Sequence, residues 1–182
     1  MKKIITLSFL LFVANLAAQS NLQVPSLENT IKINAGTQGI DAAIELPISK
    51  SILWEFSTGL GGFNLNTDNT SGYEMSSDLG FAFFAKSQFK YMLSRKHRAE
   101  KGNNLANNSG SFLGFQTKFN NNNKLYGSVI MNEFHWGQQL PLSNSLQFYY
   151  HIGVGHNANL NFSSNEVYPA FGLKLVYTIV NF

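Results

Sequence analysis

Apolar and polar residues alternate along most of this chain, which restricts its fold to strands with two unlike faces. In LQFYYHIGVGH, Leu146, Phe148, Tyr150, Ile152 and Val154 oppose Gln147, Tyr149, His151, Gly153 and Gly155. In IDAAIELPI, Ile40, Ala42, Ile44 and Leu46 oppose Asp41, Ala43 and Glu45. Ile52, Trp54, Phe56, Thr58 and Leu60 oppose Leu53, Glu55, Ser57 and Gly59. Phe81, Phe83, Ala85, Phe89, Tyr91 and Leu93 oppose Ala82, Lys86, Gln88 and Lys90, and Leu113, Phe115, Thr117 and Phe119 oppose Gly114, Gln116 and Lys118. One face is apolar and aromatic throughout. The other carries Gly, Ala and charge.

The parity of this pattern counts the strands. Ile31, Ile33 and Ala35 place apolar residues at odd positions, whereas Ile40 to Leu46 place them at even ones. A one-residue slip would turn every side chain to the wrong face, so the chain must reverse or bulge near Gly36-Thr37-Gln38-Gly39. A reversal gives eight strands, at about 30–36, 39–47, 51–63, 78–93, 111–119, 125–139, 145–160 and 168–182. A bulge gives seven. Eight is preferred, because single-chain bacterial outer-membrane barrels have even strand numbers. The expected fold is all-β: an eight-stranded antiparallel up-and-down transmembrane β-barrel. Short LPISKS and LPLSNS connections alternate with long polar ones, as in such barrels.

The first residues, MKKIITLSFLLFVANLAAQS, pair two lysines with a short apolar run and small residues at Ala17-Ala18. This predicts a secretory signal peptide over 1–18 and a single barrel domain over 19–182, in the outer membrane. There is no Cys, so no disulfide and no lipid-anchoring cysteine. Without Lys2 and Lys3 the formal charge falls from +3 to about +1, which removes most support for a nucleic-acid partner.

Periodicity alone leaves open which face is outside. A lipocalin-like barrel would turn the apolar stripe inward around a small apolar ligand. The membrane reading is favoured by aromatics near strand ends, the interface residues Trp54, Phe89, Tyr91, Phe119, Tyr126 and Trp136, with Phe63. The polar face then lines a narrow lumen plugged by Glu45, Glu55, Lys86, Lys90, Lys118, Glu133, His135 and His151. Asn132 sits awkwardly on the apolar face between Ile130 and Phe134.

The stretch SRKHRAEKGNNLANNSG interrupts two strands. Arg95, Lys96, Arg98 and Lys101 read as a basic turn on the periplasmic side, solvated and with a little helix, or else in contact with anionic lipid headgroups. The runs Asn103–Asn108 and Asn120–Asn123 read as turns.

With these residues in view, the chain resembles the small outer-membrane β-barrel proteins of Bacteroidetes-type bacteria. The resemblance is carried by LAAQ, INAGTQGID, RKHRAEKGNNLANNSGSFLGF and the final aromatic, Phe182. It implies an eight-stranded barrel, outer-membrane lipid around it, and delivery by the barrel-assembly machinery, which reads Phe182 as its signal. It implies no substrate. Lys174 departs from the pattern: it puts Phe182 on the lumen side unless a bulge shifts the parity or Lys174 lies at the rim.

No metal-spaced Cys/His set, nucleophile elbow or phosphate loop is present in the sequence, and no catalytic residue, metal or cofactor is expected. Glu133, His135 and His151 would meet in the lumen if their strands pair, which is half of a general-base arrangement but reads first as a polar plug. GHNANLNFSS is faintly similar to outer-membrane lipid A deacylases, yet Ala158 stands where the hydroxyl would be needed two residues after His156. The expected role is structural or interactive, through an envelope protein or the loop at Asn64 to Ser77. A small apolar ligand is the alternative, and a lipid A-modifying enzyme is third.

Overall fold

The structure, a computed structural model, describes residues 24–61, 64–68, 72–76, 83–122, 127–160 and 165–182. The expected signal peptide, Phe63, Phe81 and Tyr126 lie outside the described residues.

Among the described residues there are ten strands: β1 (Thr30–Gly36), β2 (Gly39–Pro47), β3 (Ile52–Leu60), β4 (Asn64–Asp68), β5 (Gly72–Ser76), β6 (Phe83–Met92), β7 (Gly110–Asn122), β8 (Gly127–Pro141), β9 (Leu146–Asn159) and β10 (Asn165–Asn181). Eight of them close a barrel in the order β1-β10-β9-β8-β7-β6-β3-β2, and each neighbouring pair is antiparallel. Closure leaves the barrel no free strand edge. The long loop expected at 64–77 contains a hairpin of its own, β4 paired with β5.

The chain reverses at Gly36–Gly39, pairing Thr30 with Glu45 through to Gly36 with Gly39. Gly39 turns at φ 110°, where a Cβ would lie 2.4 Å from the Leu60 carbonyl oxygen, so only glycine fits. The two similar short connections fold alike. Ser49 Oγ accepts the N–H groups of Ser51 and Ile52, and Ser143 Oγ accepts those of Ser145 and Leu146. Each serine replaces a turn hydrogen bond with its own side chain.

The alternation resolves into an inside-out arrangement. Asp41, Glu45, Glu55, Lys86, Lys90, Lys118 and Glu133 are buried, whereas Ile40, Phe56, Phe89, Phe115, Phe134, Ile152, Val154 and Phe171 are exposed. The strands therefore do not build an apolar calyx: their apolar stripe lines the outside.

Polar groups on that outer face bond one another. Trp54 Nε1 donates to Ser87 Oγ at 2.9 Å, and Tyr150 Oη to Gln138 Oε1 at 2.6 Å. Gln138 Nε2 donates to Ser111 Oγ at 3.0 Å, and Thr58 Oγ1 to the Phe84 carbonyl at 3.1 Å. Asn132, awkward in the sequence, accepts from its cross-strand partner Thr117 at 2.8 Å.

The departure at Lys174 resolves as a bulge. Ile31 pairs with Val180 but Lys32 with Thr178, so Ile179 is extra. Lys174 and Thr178 stay inside while Ile179, Val180 and Phe182 are all exposed. One inserted residue restores an outward C-terminal aromatic.

Candidate functional site

The most built feature of the molecule is its lumen, packed in tiers. Strands β2 and β3 set Glu45 opposite Glu55, two carboxylates whose closeness demands cations. Lys90 from β6 reaches both, with Nζ 2.6 Å from Glu45 Oε2 and 2.6 Å from Glu55 Oε2. Its third proton goes to Gln139 Oε1 at 2.8 Å. Lys32 from β1 also bridges the pair, at 2.9 and 3.1 Å. Lys174 from β10 takes the other Glu55 oxygen at 3.2 Å. Every member is buried. Buried ions are costly to desolvate, and this cluster is viable because each charge has several partners.

Beside it lie stacked rings. Phe112 and Tyr149 have centroids 5.4 Å apart, and Lys174 Nζ sits 4.3 Å from the centre of the Tyr149 ring. Four inward rings each lie over a glycine directly opposite on the next strand: Phe112 over Gly137, His135 over Gly114, His151 over Gly172, Tyr168 over Gly155. A Cβ on any of these glycines would come within 2.3 to 2.5 Å of the ring. The inward glycines are seats for rings, which explains why the polar face mixes Gly with large side chains.

Further along, Glu133 accepts from Tyr168 Oη at 2.8 Å and from Gln116 Nε2 at 2.5 Å, and lies 3.4 Å from His151 Nε2. The His135 and His151 rings are 4.4 Å apart between centroids. Gln88 Nε2 is 2.8 Å from His135 Nε2 and 3.0 Å from Tyr149 Oη. Lys86 lies 3.8 Å from Asp41 Oδ2 and donates to Gln38 Oε1 at 3.4 Å. Lys118 donates to the Gln38 carbonyl at 3.2 Å and lies over the Phe84 ring at 4.2 Å. Between Gln38, Asp41, His151 and Lys174 is a void of about 10 Å³, room for a single water.

The barrel end that carries residue 24 and the C-terminus is sealed by the basic insert, whose little helix is present but in which Arg95 departs from the expected solvated turn. Arg95–Glu100 forms a short helix, α1, and Ala106–Asn108 a 3-10 turn. Lys96, Arg98 and Lys101 stay at or near the surface, but Arg95 is buried and donates to the carbonyl oxygens of Pro25 and Ser26 at 2.8 and 3.4 Å. Burial lowers the Arg95 pKa from its ordinary value, and Glu28 opposes that shift.

The Asn run folds into the barrel mouth. Asn107 and Asn108, at φ 52° and 59°, adopt the left-handed conformation that Asn tolerates. Asn108 Oδ1 accepts the Glu28 N–H at 2.8 Å, while Nδ2 donates to Glu28 O at 2.9 Å and to Glu45 Oε1 at 2.8 Å. Gln147 Nε2 donates to the Asn107 carbonyl at 3.0 Å and Gln139 Nε2 to that of Asn108 at 3.2 Å. Asn120–Asn122, read as a turn, instead continue β7, with Asn120 in the lumen.

Replacing Asn108 with Ala removes three hydrogen bonds and strands Glu45 Oε1, so a loss of about 1–3 kcal/mol is expected. Limited proteolysis near Leu27 should accelerate in that variant; an unchanged cleavage rate would count against the seal.

All eight sequence-derived plug residues point inward. The sequence reading did not name Lys32, Asp41, Gln88, Gln116, Gln139, Tyr149 and Tyr168 as plug residues, although alternation places each on the polar face. Trp54, Phe89, Tyr91, Phe119 and Trp136 lie on the outer face. Aromatics also occupy mid-strand positions there, such as the Phe115–Phe134 pair. His156 is exposed, remote in role from the two buried histidines. No family model, curated protein or solved structure matches this chain.

Proposed function

We propose that this chain is an integral outer-membrane barrel of the small Bacteroidetes-type kind, with a closed polar lumen and a structural or interaction role. One observation carries the reading: apolar side chains face outward while the lysines and carboxylates pair inside. Water favours the reverse arrangement, since exposing apolar area costs about 25 cal/mol per Å². Lipid favours this one, because hydrocarbon leaves unpaired polar groups unsolvated. The internally bonded outer polar groups, Trp54 with Ser87 and Tyr150 with Gln138, fit the same solvent.

The filled lumen argues for anchoring rather than conduction, because an eight-stranded barrel is narrow enough for its own side chains to fill. Contact with a further envelope protein would then fall to the loops, including the β4–β5 hairpin. Signal-peptide cleavage after export and assembly through the outward Phe182 complete the proposal.

The test is an SDS gel of fractionated cells, with and without boiling. A band confined to the outer membrane that shifts on heating is expected. A soluble periplasmic protein with no shift would overturn the reading.

A further inference from the structure

We propose that Glu133, His135 and His151 form a buried site for one zinc-class divalent cation. One ligand atom from each lies within 4.8 Å of the others, and the three are 5%, 1% and 3% exposed. They come from β8 and β9, whose register places Glu133 opposite Gly155, His135 opposite Gly153 and His151 opposite Gly137, so the pairing of these two strands brings the three side chains together.

The nitrogens are what point to an ion. His135 Nδ1 and His151 Nδ1 are buried without a hydrogen-bond partner, and His151 Nε2 has only the Glu133 carboxylate, 3.4 Å away. Orphaned nitrogens of this kind are costly in a polar interior unless something else takes them. Glu133 Oε2 and His151 Nε2 are 3.4 Å apart, close to the spacing that a tetrahedral ion with bonds of about 2.0–2.2 Å imposes on its ligands.

The surrounding groups suit that role. Gln88 Oε1 is also buried without a partner. Turning the Gln88 amide over lets this oxygen accept from Tyr149 Oη and from His135 Nε2–H, which leaves the His135 Nδ1 lone pair free. Tyr168 and Gln116 fix the Glu133 carboxylate from behind. These are the outer hydrogen bonds that orient metal ligands. The neighbouring ammonium groups are engaged elsewhere, Lys118 by Gln38 and Phe84, Lys86 by Gln38 and Asp41. Two imidazoles and one carboxylate match Zn²⁺ and its congeners rather than Ca²⁺ or Mg²⁺. Three protein ligands leave the fourth position of a tetrahedral ion to water.

The sequence hides this site because its ligands have no metal-like spacing; only strand pairing assembles them. The proposal concerns the lumen and is independent of what surrounds the barrel.

The test uses the full chain refolded in detergent with Co²⁺ or Zn²⁺ present during refolding, so that entry into the closed lumen is not limiting. One equivalent of Co²⁺ should be retained after desalting, with the intense visible bands of a four-coordinate ion. Glu133→Gln and His151→Ala should each weaken retention at least tenfold, while His97→Ala and His156→Ala should not change it. Because lumen variants can fold poorly, nitrogen NMR of histidine-labelled wild-type protein provides a second readout. Zn²⁺ should shift the His135 and His151 ring resonances and leave those of His97 and His156 in place. A folded wild-type protein that retains no Co²⁺, or retention undiminished in a His135→Ala/His151→Ala double variant, would overturn the site.

Discussion

Replacing Glu55 with Gln should cost the barrel about 3–5 kcal/mol, the usual penalty for leaving buried charges without their partner. Glu55 is completely buried and its two oxygens hold Lys32, Lys90 and Lys174 at 3.1, 2.6 and 3.2 Å. Glutamine keeps the shape but removes the charge, and its amide N–H groups add donors among three ammonium groups. Glu45 alone would then face Lys32 and Lys90, and Lys174 would have no carboxylate.

Removing a cation as well should recover part of the loss, since the cost lies in the imbalance rather than in the missing contact. Glu55→Gln/Lys174→Met is therefore expected to be more stable than Glu55→Gln alone. The two tryptophans, Trp54 and Trp136, give a fluorescence signal for urea unfolding in micelles. An unchanged midpoint for Glu55→Gln would show that the cluster is not what holds this tier together.

The second large effect is on the outer face. Ile152 is 63% exposed, central in β9 and flanked by Trp136 and Phe171 on the adjoining strands. Were that face in water, Ile152→Arg would change stability by less than about 0.5 kcal/mol. Near a bilayer midplane the same change costs about 2–4 kcal/mol. Ile48→Arg, on an exposed short turn, serves as the matched control and should be close to neutral. Folding free energies of both variants in lipid vesicles decide the matter: equal, small changes would mean that Ile152 does not meet hydrocarbon.

Much of this was legible in the sequence, for a physical reason. Strand side chains alternate strictly, so the face of each residue is a local property, and the parity change around Gly36–Gly39 announces a reversal without any tertiary information. The existence of the eight barrel strands and the inward facing of all eight plug residues followed from that rule. What alternation cannot say is which inward residues meet. Lys32, Glu55 and Lys174 come from three different strands, and only the closed register joins them. The metal-like trio was foreseeable as a meeting of side chains, but its orphaned nitrogens were not.

The insert misled for a different reason. Asn-rich sequence is the same whether it faces water or fills a mouth, because the amide carries both donors and an acceptor. Burial of Asn107 and Asn108 depends on Glu28, Gln139 and Gln147 being in place to receive them. Phe182 illustrates the reverse case: its outward position requires the extra residue at Ile179, and although the parity of Lys174 against Phe182 signals a bulge, a run of β-branched and aromatic residues does not mark where it falls.

Because the chain contains no cysteine, single cysteines can be placed one at a time from 147 to 154 in β9 and labelled with a fluorophore. In vesicles of brominated lipid, labels at 148, 150, 152 and 154 should be quenched and those at 147, 149, 151 and 153 should not. Quenching by aqueous iodide at the even positions, with no response to brominated lipid, would contradict a membrane-facing apolar surface and the account built on it.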